Sequence, residues 1–384
     1  MDGNKDYTMK KIIIMMALAA MTACGEPDQK PAEGSKTGFA LSFFKNAVAS
    51  VPSAENVVVS PYSAGVALSM LEAGAEGETK VEFDNALNGA YFKAEDLGGG
   101  KDITAESSNS VWISDDFSVR NRYVSLLEND FDAFVTTQNF ADPATVQAIN
   151  NWCSEHTSGK IDQIIDRIGP DMVMILVNAL YFNAPWADAF DENATRDAVF
   201  HGINGDTEVK MMSRKAMYNY AEYQGAKMIE IPYTGGKYAM YVILPPSGMS
   251  PDAVLPYIGE NLYKSAMSML QPKEVALAMP GFKAETSLVL NQTLEKMGIR
   301  TAFSSAADFK GISVMGPLRL DVVKQKCYID VTEKGTEAAA VTGAQIRMTS
   351  VRPVQSMTVD RPFLFVIADV EDKDILFAGK IVNL

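Results

Sequence analysis

The chain has few residues of the kinds that build catalytic or metal centres. Its 384 residues include two histidines and three cysteines, and the cysteines show no CxxC or other ligand-like spacing. It contains no HExxH, Walker or dinucleotide-binding motif. Acidic residues outnumber basic ones by 48 to 34, and no dense basic cluster offsets the net charge of −14. We therefore expect a protein that is not an enzyme, binds no cofactor or metal, and does not bind nucleic acid.

Two short matches resemble a serine-hydrolase motif set without completing it. Ser42-Phe-Phe-Lys45 fits SxxK, and Lys36-Thr-Gly38 fits KTG. In such enzymes KTG lies far downstream of the nucleophile and an SDN motif comes between them, whereas here the order is reversed and SDN is missing. We interpret both matches as chance, and a hydrolase built on Ser42 and Lys45 stays the disfavoured alternative.

Two cysteines, Cys153 and Cys327, lie well inside the chain. They are able to pair in principle, but a buried free thiol is the commoner state of such residues. We therefore predict that both are free.

Residues 1–23 resemble the signal peptide of a bacterial lipoprotein. Lys10 and Lys11 precede an apolar run that ends in small residues and is too short to span a bilayer. Met21-Thr-Ala-Cys24 resembles a lipobox, with Met21 in place of the usual leucine, and Met9 is an alternative start. The pattern predicts an exported protein held by acyl chains on Cys24 in the bacterial cell envelope, at the outer membrane or the cell surface. Ordinary secretion, with Cys24 as a spare thiol, is the alternative.

The remaining sequence divides into a short tether and one domain. Residues 24–37 are polar, contain two prolines and lack a periodic pattern, which predicts a flexible tether. Residues 38–384 contain no internal repeat and no long linker, which predicts a single domain.

Helix-like patterns dominate the first half of the domain, and strand-like patterns dominate the second. The predicted helices cover 39–51, 60–73, 81–87, 119–129 and 143–157. The predicted strands cover 110–113, 172–182, 238–244, 274–280, 318–323, 327–331 and 363–369. This segregation predicts an α+β fold rather than an alternating, doubly wound one.

A run of small residues at positions 333–342 (EKGTEAAAVT) alternates like a strand but has no strand partner in the sequence. The alternate residues on one side are Thr336, Ala338, Ala340 and Thr342. Because successive strand side chains point to opposite faces, this small set suits a buried face and Glu337 suits the solvent face. A polar, proline-bearing stretch follows without a hairpin signal. The pattern predicts a strand that is not yet in a sheet.

Seven motifs along residues 38–384, taken in order, resemble the serpin family of protease inhibitors. They are NVVVSPYS at 56–63, GAEGET at 74–79, INNW with TSGKI at 149–161, LVNALYFNAPW at 176–186, MPGF with MGI, Phe303 and ADF at 279–309, RPFLF at 361–365 and FAGKIVN at 377–383. The resemblance implies a mixed α+β fold with three β-sheets, about nine helices and an exposed reactive-centre loop, in a monomer.

The same resemblance implies a suicide inhibitor of serine proteases that acts by inserting its cleaved loop into the central sheet. The hinge of that loop would comprise Glu333, Gly335, Thr336, Ala338, Ala340 and Thr342. Gly335 supplies backbone freedom at the pivot, and the inward residues are small enough to enter a packed sheet. The alternative is a non-inhibitory serpin that acts as a binding or chaperone-like protein.

The family's spacing from Glu333 places the scissile bond at Thr349-Ser350. A small Thr349 suits elastase-like or subtilisin-like proteases, and cysteine proteases are further possible targets. The alternative cleavage residues are Met348, Arg347 and Arg352.

Two further sites are implied by the resemblance. A shutter cluster would join Ser60, Ser63 and Asn178 to Gln325, which replaces the family's histidine but is still able to donate and accept hydrogen bonds. Trp186 would lie at the top of the central sheet. Gly281 occupies the position that often pairs ionically with the hinge glutamate, so Glu333 lacks its usual partner.

Overall fold

The chain forms eight α-helices within the residues that the structure, a computed structural model, describes: 34–95, 97–98, 103–316, 318–336 and 354–384. The helices are α1 Lys36–Val48, α2 Pro61–Gly74, α3 Gly77–Ala86, α4 Asn121–Phe131, α5 Pro143–Glu155, α6 Pro251–Val254, α7 Glu260–Ser268 and α8 Asn291–Lys296. In this part of the chain no helix is both long and apolar enough to cross a bilayer.

The strands number fifteen in the same ranges. They are β1 Val57–Val59, β2 Thr104–Ser114, β3 Ala133–Gln138, β4 Met174–Pro185, β5 Arg196–Gly202, β6 Gly205–Tyr223, β7 Ala226–Pro232, β8 Tyr238–Leu244, β9 Gln271–Pro280, β10 Phe282–Val289, β11 Lys324–Thr332, β12 Gly335–Thr336, β13 Gln355–Thr358, β14 Phe363–Asp369 and β15 Ile375–Ile381.

These strands form two sheets. The order in the nine-stranded sheet is β1-β15-β14-β8-β7-β6-β9-β13, with β5 added on β6. The order in the six-stranded sheet is β10-β11-β12-β4-β2-β3. The mixed α+β fold is as predicted, but the described residues form two continuous sheets where the resemblance implied three. In the nine-stranded sheet the 19-residue strand β6 is continuous: it pairs with β5 over its first third, with β9 over residues 211–220 and with β7 at its end.

Helix α1 begins before residue 38, the predicted start of the domain. The hydroxyl of Ser35 accepts a hydrogen bond from the Gly38 amide at 2.9 Å and caps the helix. Thr37 is buried. The tether interpretation extended too far because this polar segment carries a cap signal and no hydrophobic period.

The strand predicted at 318–323 is wrong, since β11 begins only at Lys324. The segment has strand-like residues, but its backbone amides bond outside any sheet. The Leu320 amide donates to the Ala302 carbonyl, and the Val323 amide donates to the Asn291 side chain. A strand needs a neighbour for its ladder, and this segment has none in the described chain.

Two helices cover opposite faces of the six-stranded sheet. Helix α2, almost wholly buried, packs against β4 and β15 on the side of the main core. Helix α5 lies on the other side, where its Ile149 and Trp152 form a second apolar cluster with Trp112 of β2 and Val177 of β4. The centre of the sheet therefore lies between α2 and α5.

Candidate functional site

The two-residue strand β12 lies in the six-stranded sheet between β4 and β11. Gly335 and Thr336 pair antiparallel with β11 on one side and with β4 on the other. Within the described residues, β4 and β11 share no ladder of their own. Among the residues that the structure describes, the sheet is thus joined across this line by Gly335 and Thr336 alone.

Gly335 occupies a position that only glycine fits. Its φ of 150° is disfavoured for residues with a side chain, and a Cβ atom there would lie 2.2 Å from the Ala184 carbonyl oxygen and 2.6 Å from the Pro185 Cα. These neighbours are backbone atoms of β4 and cannot turn away. Glycine is therefore required for β12 to approach β4.

The side chain of Thr336 is buried in the core side of the sheet, with 2% of its surface exposed. Its hydroxyl lies 2.6 Å from the hydroxyl of Tyr233, which is fully buried. Burial raises the pKa of Tyr233, so the phenol stays protonated and the hydrogen bond is independent of pH in the physiological range. The contact fixes the side chain of Thr336, the residue predicted to be the first inward position of the hinge.

Trp186 lies where β4 ends, directly beside the hinge. Its ring stacks on Tyr233 with centroids 4.6 Å apart and planes 11° from parallel. Its indole nitrogen donates to the Thr332 carbonyl at 2.9 Å, and its amide donates to the Lys334 carbonyl at 2.9 Å. The buried side chain of Trp186 thus connects the end of β4 to the end of β11, and its backbone amide connects it to the turn that follows.

Glu333, in the turn between β11 and β12, accepts a hydrogen bond from a hydroxyl group. The hydroxyl of Thr195 donates to its carboxylate at 2.7 Å, and the Phe190 amide donates to its carbonyl at 2.8 Å. Gly281 contributes no side chain, and Glu333 forms no ion pair with any residue that the structure describes. Instead the next residue, Lys334, pairs with Glu192 at 3.3 Å.

Ser60 and Gln325 form the centre of a second, buried group beneath the sheet. The Gln325 side chain accepts from the Ser60 amide at 3.1 Å and donates to the Ser60 carbonyl at 2.9 Å. The Ser60 hydroxyl donates to the Leu376 carbonyl and also caps helix α2. An amide at this position therefore links β11 to the start of α2 without a group that titrates.

Ser63 and Asn178 extend this group to the central strands. The Ser63 hydroxyl donates to the Asn178 side-chain oxygen, and the Asn178 amide group donates to Asn109 of β2 and to Ser107. Ser63 is connected to Ser60 through its own amide, which donates to the Ser60 hydroxyl at 3.1 Å. The four residues named from the sequence, Ser60, Ser63, Asn178 and Gln325, thus lie in one hydrogen-bonded cluster.

Several predicted residues lie outside the described part of the chain. They are the later hinge residues Ala338, Ala340 and Thr342, the cleavage candidates Arg347, Met348, Thr349, Ser350 and Arg352, and the lipid-anchor residue Cys24.

Three residues that contact Thr336 or Glu333 were not predicted from the sequence, namely Tyr233, Thr195 and Phe190. Their contacts with Thr336 and Glu333 span more than a hundred residues of chain. No local sequence pattern predicts a contact between residues so far apart in the chain. The nearest signal is the Pro232-Tyr233-Thr234-Gly235-Gly236 sequence, which marks a turn but not what the turn contacts.

The two internal cysteines are free, as predicted, and both are buried. Burial raises the pKa of the Cys153 thiol to about 11 and that of Cys327 to about 12. Both thiols are therefore protonated at neutral pH and have the properties of small core side chains.

The described fold is a mixed α+β fold in which Gly335 and Thr336 pair between two strands, β4 and β11, that share no ladder with each other. The chain belongs to the serpin family, since the family model described as Serpin (serine protease inhibitor) matches residues 34–384. Members of this family are in general non-catalytic inhibitors of proteases.

Individual relatives agree with this assignment. An uncharacterized serpin-like protein of Methanosarcina acetivorans is 33% identical over 344 residues, which cover 85% of this chain and 81% of the relative. A serine protease inhibitor of Cyanea capillata is 33% identical over 370 residues, 90% of this chain and 96% of the relative. The crystal structure of the thermophilic serpin tengpin in its native state superposes with a TM-score of 0.84, at 28% identity, covering 94% of this chain and 96% of that one.

Proposed function

We propose that this protein is a suicide inhibitor of serine proteases that traps its target by inserting its own cleaved loop between β4 and β11. The observation that carries the proposal is β12. Gly335 and Thr336 already hydrogen-bond to both strands, while the described parts of β4 and β11 have no ladder with each other. Addition of a strand to a sheet supplies backbone hydrogen bonds along its whole length.

The alternation of side chains along a strand supports insertion with the small residues facing the core. Thr336 faces the core beside Tyr233, so a strand that continues from it would turn Ala338, Ala340 and Thr342 to the same face. These side chains are small, and alanine loses no rotamer freedom on burial. Glu337 would face the opposite side.

The reaction begins as ordinary proteolysis. The catalytic serine of the protease attacks the carbonyl carbon of Thr349, the bond to the Ser350 nitrogen breaks, and that nitrogen leaves as an amine with the proton relayed by the protease. The product is an ester between the protease and Thr349. Insertion of the loop then moves the ester and the attached protease away before water completes hydrolysis. The inhibitor itself contributes no catalytic group.

The small Thr349 favours elastase-like or subtilisin-like proteases as targets, and a cysteine protease would form the equivalent thioester. The Cyanea capillata relative is named a serine protease inhibitor, which supports serine proteases, rather than cysteine proteases, as the targets.

A panel of proteases tests this function directly. We expect the mature protein, incubated with elastase, subtilisin, trypsin or papain, to form a complex with elastase or subtilisin that survives boiling in detergent. Mass spectrometry of the released C-terminal fragment should give Ser350 as its first residue. Cleaved product alone with every protease would favour the non-inhibitory, binding or chaperone-like alternative. A fragment that begins at another residue would assign the cleaved bond to Arg347, Met348 or Arg352 instead.

We also propose that acyl chains on Cys24 hold the protein at the surface of a bacterial envelope membrane. The support is the lipobox-like Met21-Thr-Ala-Cys24 behind a short apolar run. In a bacterial host, Cys24→Ser should move the protein from the membrane fraction to the soluble fraction and abolish labelling by a fatty-acid analogue. Cys153→Ala, which leaves Cys24 in place, should stay with the membrane. Equal fractionation of Cys24→Ser and wild type would contradict the anchor.

A further inference from the structure

The adjacent strands β6, β9 and β13 expose one face of the nine-stranded sheet to solvent. Side chains alternate between the two faces of a strand, and here the inner set includes Val275 and Met357, which are fully buried. The opposite set remains accessible to solvent. The outer face, as it is called below, is formed by Lys215, Met217, Glu274, Ala276, Val354 and Ser356.

Two apolar side chains of the outer face are exposed and lie in one row across the strands. Met217 has 51% of its surface exposed and Val354 has 41%. Met217 pairs with Glu274, and Gln355 pairs with Val275. Continued by one residue, this register places Val354 beside Glu274 on the other side. Neighbouring strands are about 4.8 Å apart, so Met217 and Val354 lie about 10 Å from each other on the same face.

The rest of the outer face is small or electrically balanced. Lys215 lies 3.4 Å from Glu274 and forms an ion pair with it. Ala276 and Ser356 are small and uncharged. The outer face therefore has no net charge, although the chain as a whole carries a net charge of −14. Protein interfaces are enriched in methionine and depleted of charge at their centres, so this face suits an apolar contact.

The outer face lies within reach of a protease that cuts the predicted loop. Thr349 precedes Val354 by five residues, and a chain spans at most about 3.6 Å per residue, so the two lie within about 18 Å of each other. The alternative cleavage residues Arg347, Met348 and Arg352 lie within about 25 Å by the same measure. A protease domain of 200–250 residues is about 40 Å across. A protease at any of these bonds therefore extends over the distance to Val354.

The size of a protease–inhibitor interface requires residues outside the loop. Such an interface takes in about 20–30 residues on each side. The chain between β12 and β13 contains fewer residues than that, so part of the inhibitor's side comes from the folded domain. The outer face includes Val354, where the described chain resumes before β13, and is the nearest exposed sheet surface along the chain.

We propose that the outer face is a docking surface for the target serine protease, and that Met217 and Val354 contact an apolar, uncharged part of the protease beside its cleft. This inference rests on the proposed function, since it concerns the protease that the loop attracts. Val354 follows the scissile bond, so the contact is on the side of the cleft that binds the residues after that bond. The surface thereby selects among proteases that share the same preference for Thr349.

The test is the binding of the uncleaved protein to elastase or subtilisin whose catalytic serine is replaced by alanine, so that no bond is cut. Met217→Glu and Met217→Lys each place a charge in the apolar contact, and both should raise the dissociation constant about tenfold. Residue 217 is half exposed and distant from the loop in sequence, so neither change alters the core or the bait.

Active protease gives a second readout. Both Met217 variants should form the boiling-resistant complex about tenfold more slowly at low concentration, because that rate varies with the affinity of the first complex. The ratio of complex to cleaved inhibitor should equal that of wild type, since residue 217 takes no part in loop insertion. This pattern separates docking from trapping.

Val289→Glu and Val289→Lys are the matched controls. Val289 is at the end of β10 in the other sheet and has 55% of its surface exposed, so the same charges are added at a similar exposure. Both controls should bind the inactive protease with wild-type affinity.

The outcomes separate this surface from the proposed function. Wild-type affinity in both Met217 variants would overturn the docking surface and leave the inhibitor standing. Tighter binding by one of the two would overturn the apolar contact in favour of attraction between charges. Weaker binding by both, without any boiling-resistant complex in wild type, would retain the docking surface and overturn inhibition. A wild-type protein that neither binds nor traps any protease would overturn both.

Discussion

Thr336→Arg is expected to convert the protein from an inhibitor that traps proteases into a substrate that is cut and released. Thr336 is buried against Tyr233 and takes part in the ladder with β4 and β11. An arginine there would bury a charge without a partner, which costs about 3–5 kcal/mol. In the uncleaved variant this cost keeps the arginine out of the ladder and in water, so insertion has to bury it. A barrier higher by that amount slows insertion at least about a hundredfold, and hydrolysis of the ester is then the faster reaction.

The measurement is the ratio of boiling-resistant complex to cleaved inhibitor, with the protease that wild type traps best. Glu337→Arg is the matched control, because the alternation of the strand turns residue 337 to the other face. The control should keep most of its complex. Equal trapping by Thr336→Arg and wild type would disprove the inward orientation of residue 336 during insertion.

Trp186→Ala is expected to lower the free energy of unfolding of the uncleaved protein by about 3–5 kcal/mol. The truncation removes the ring that stacks on Tyr233 and the indole donor to the Thr332 carbonyl. It leaves a cavity at the end of β4 and an unsatisfied carbonyl on β11. The first transition in urea, followed by intrinsic fluorescence and circular dichroism, measures the loss.

A conservative variant separates the two contributions of Trp186. Trp186→Phe keeps a ring on Tyr233 but loses the donor to Thr332, which leaves a polar group unpaired and costs about 1–3 kcal/mol. The expected order of stability is therefore wild type, Trp186→Phe and Trp186→Ala. A phenylalanine variant as unstable as the alanine variant would show that the hydrogen bond, not the packing, carries the effect.

Local sequence signals predicted much of the fold. The helices that became α1, α2, α4 and α5 were found from their hydrophobic periods, and the fold class followed from the segregation of helix and strand patterns. Ser60 before Pro61 is a typical helix start, and its hydroxyl caps α2. Such signals are readable because each depends on residues close together in the chain.

Strands that depend on partners far away in the chain were predicted wrongly or were not predicted from the sequence. The residues at 318–323 have strand propensity but no neighbouring strand, so they stay outside both sheets. Eight strands were not predicted, namely β1, β3, β5, β6, β7, β10, β13 and β15. In β5 and the first part of β6 many residues are exposed and carry a weak hydrophobic signal, and pairing with each other and with β9 organises these strands.

The sequence alone determined the side chains available at two predicted sites: a glycine at 335 and small residues at alternate positions in the hinge, and an amide at Gln325 in the shutter cluster. Only the tertiary structure decided what surrounds them. Tyr233 and Thr195 became the partners of Thr336 and Glu333 because packing of the whole chain brings those segments within hydrogen-bond distance. The physical reason is that side-chain size and backbone freedom belong to single residues, whereas distances between remote segments arise only when the chain has folded.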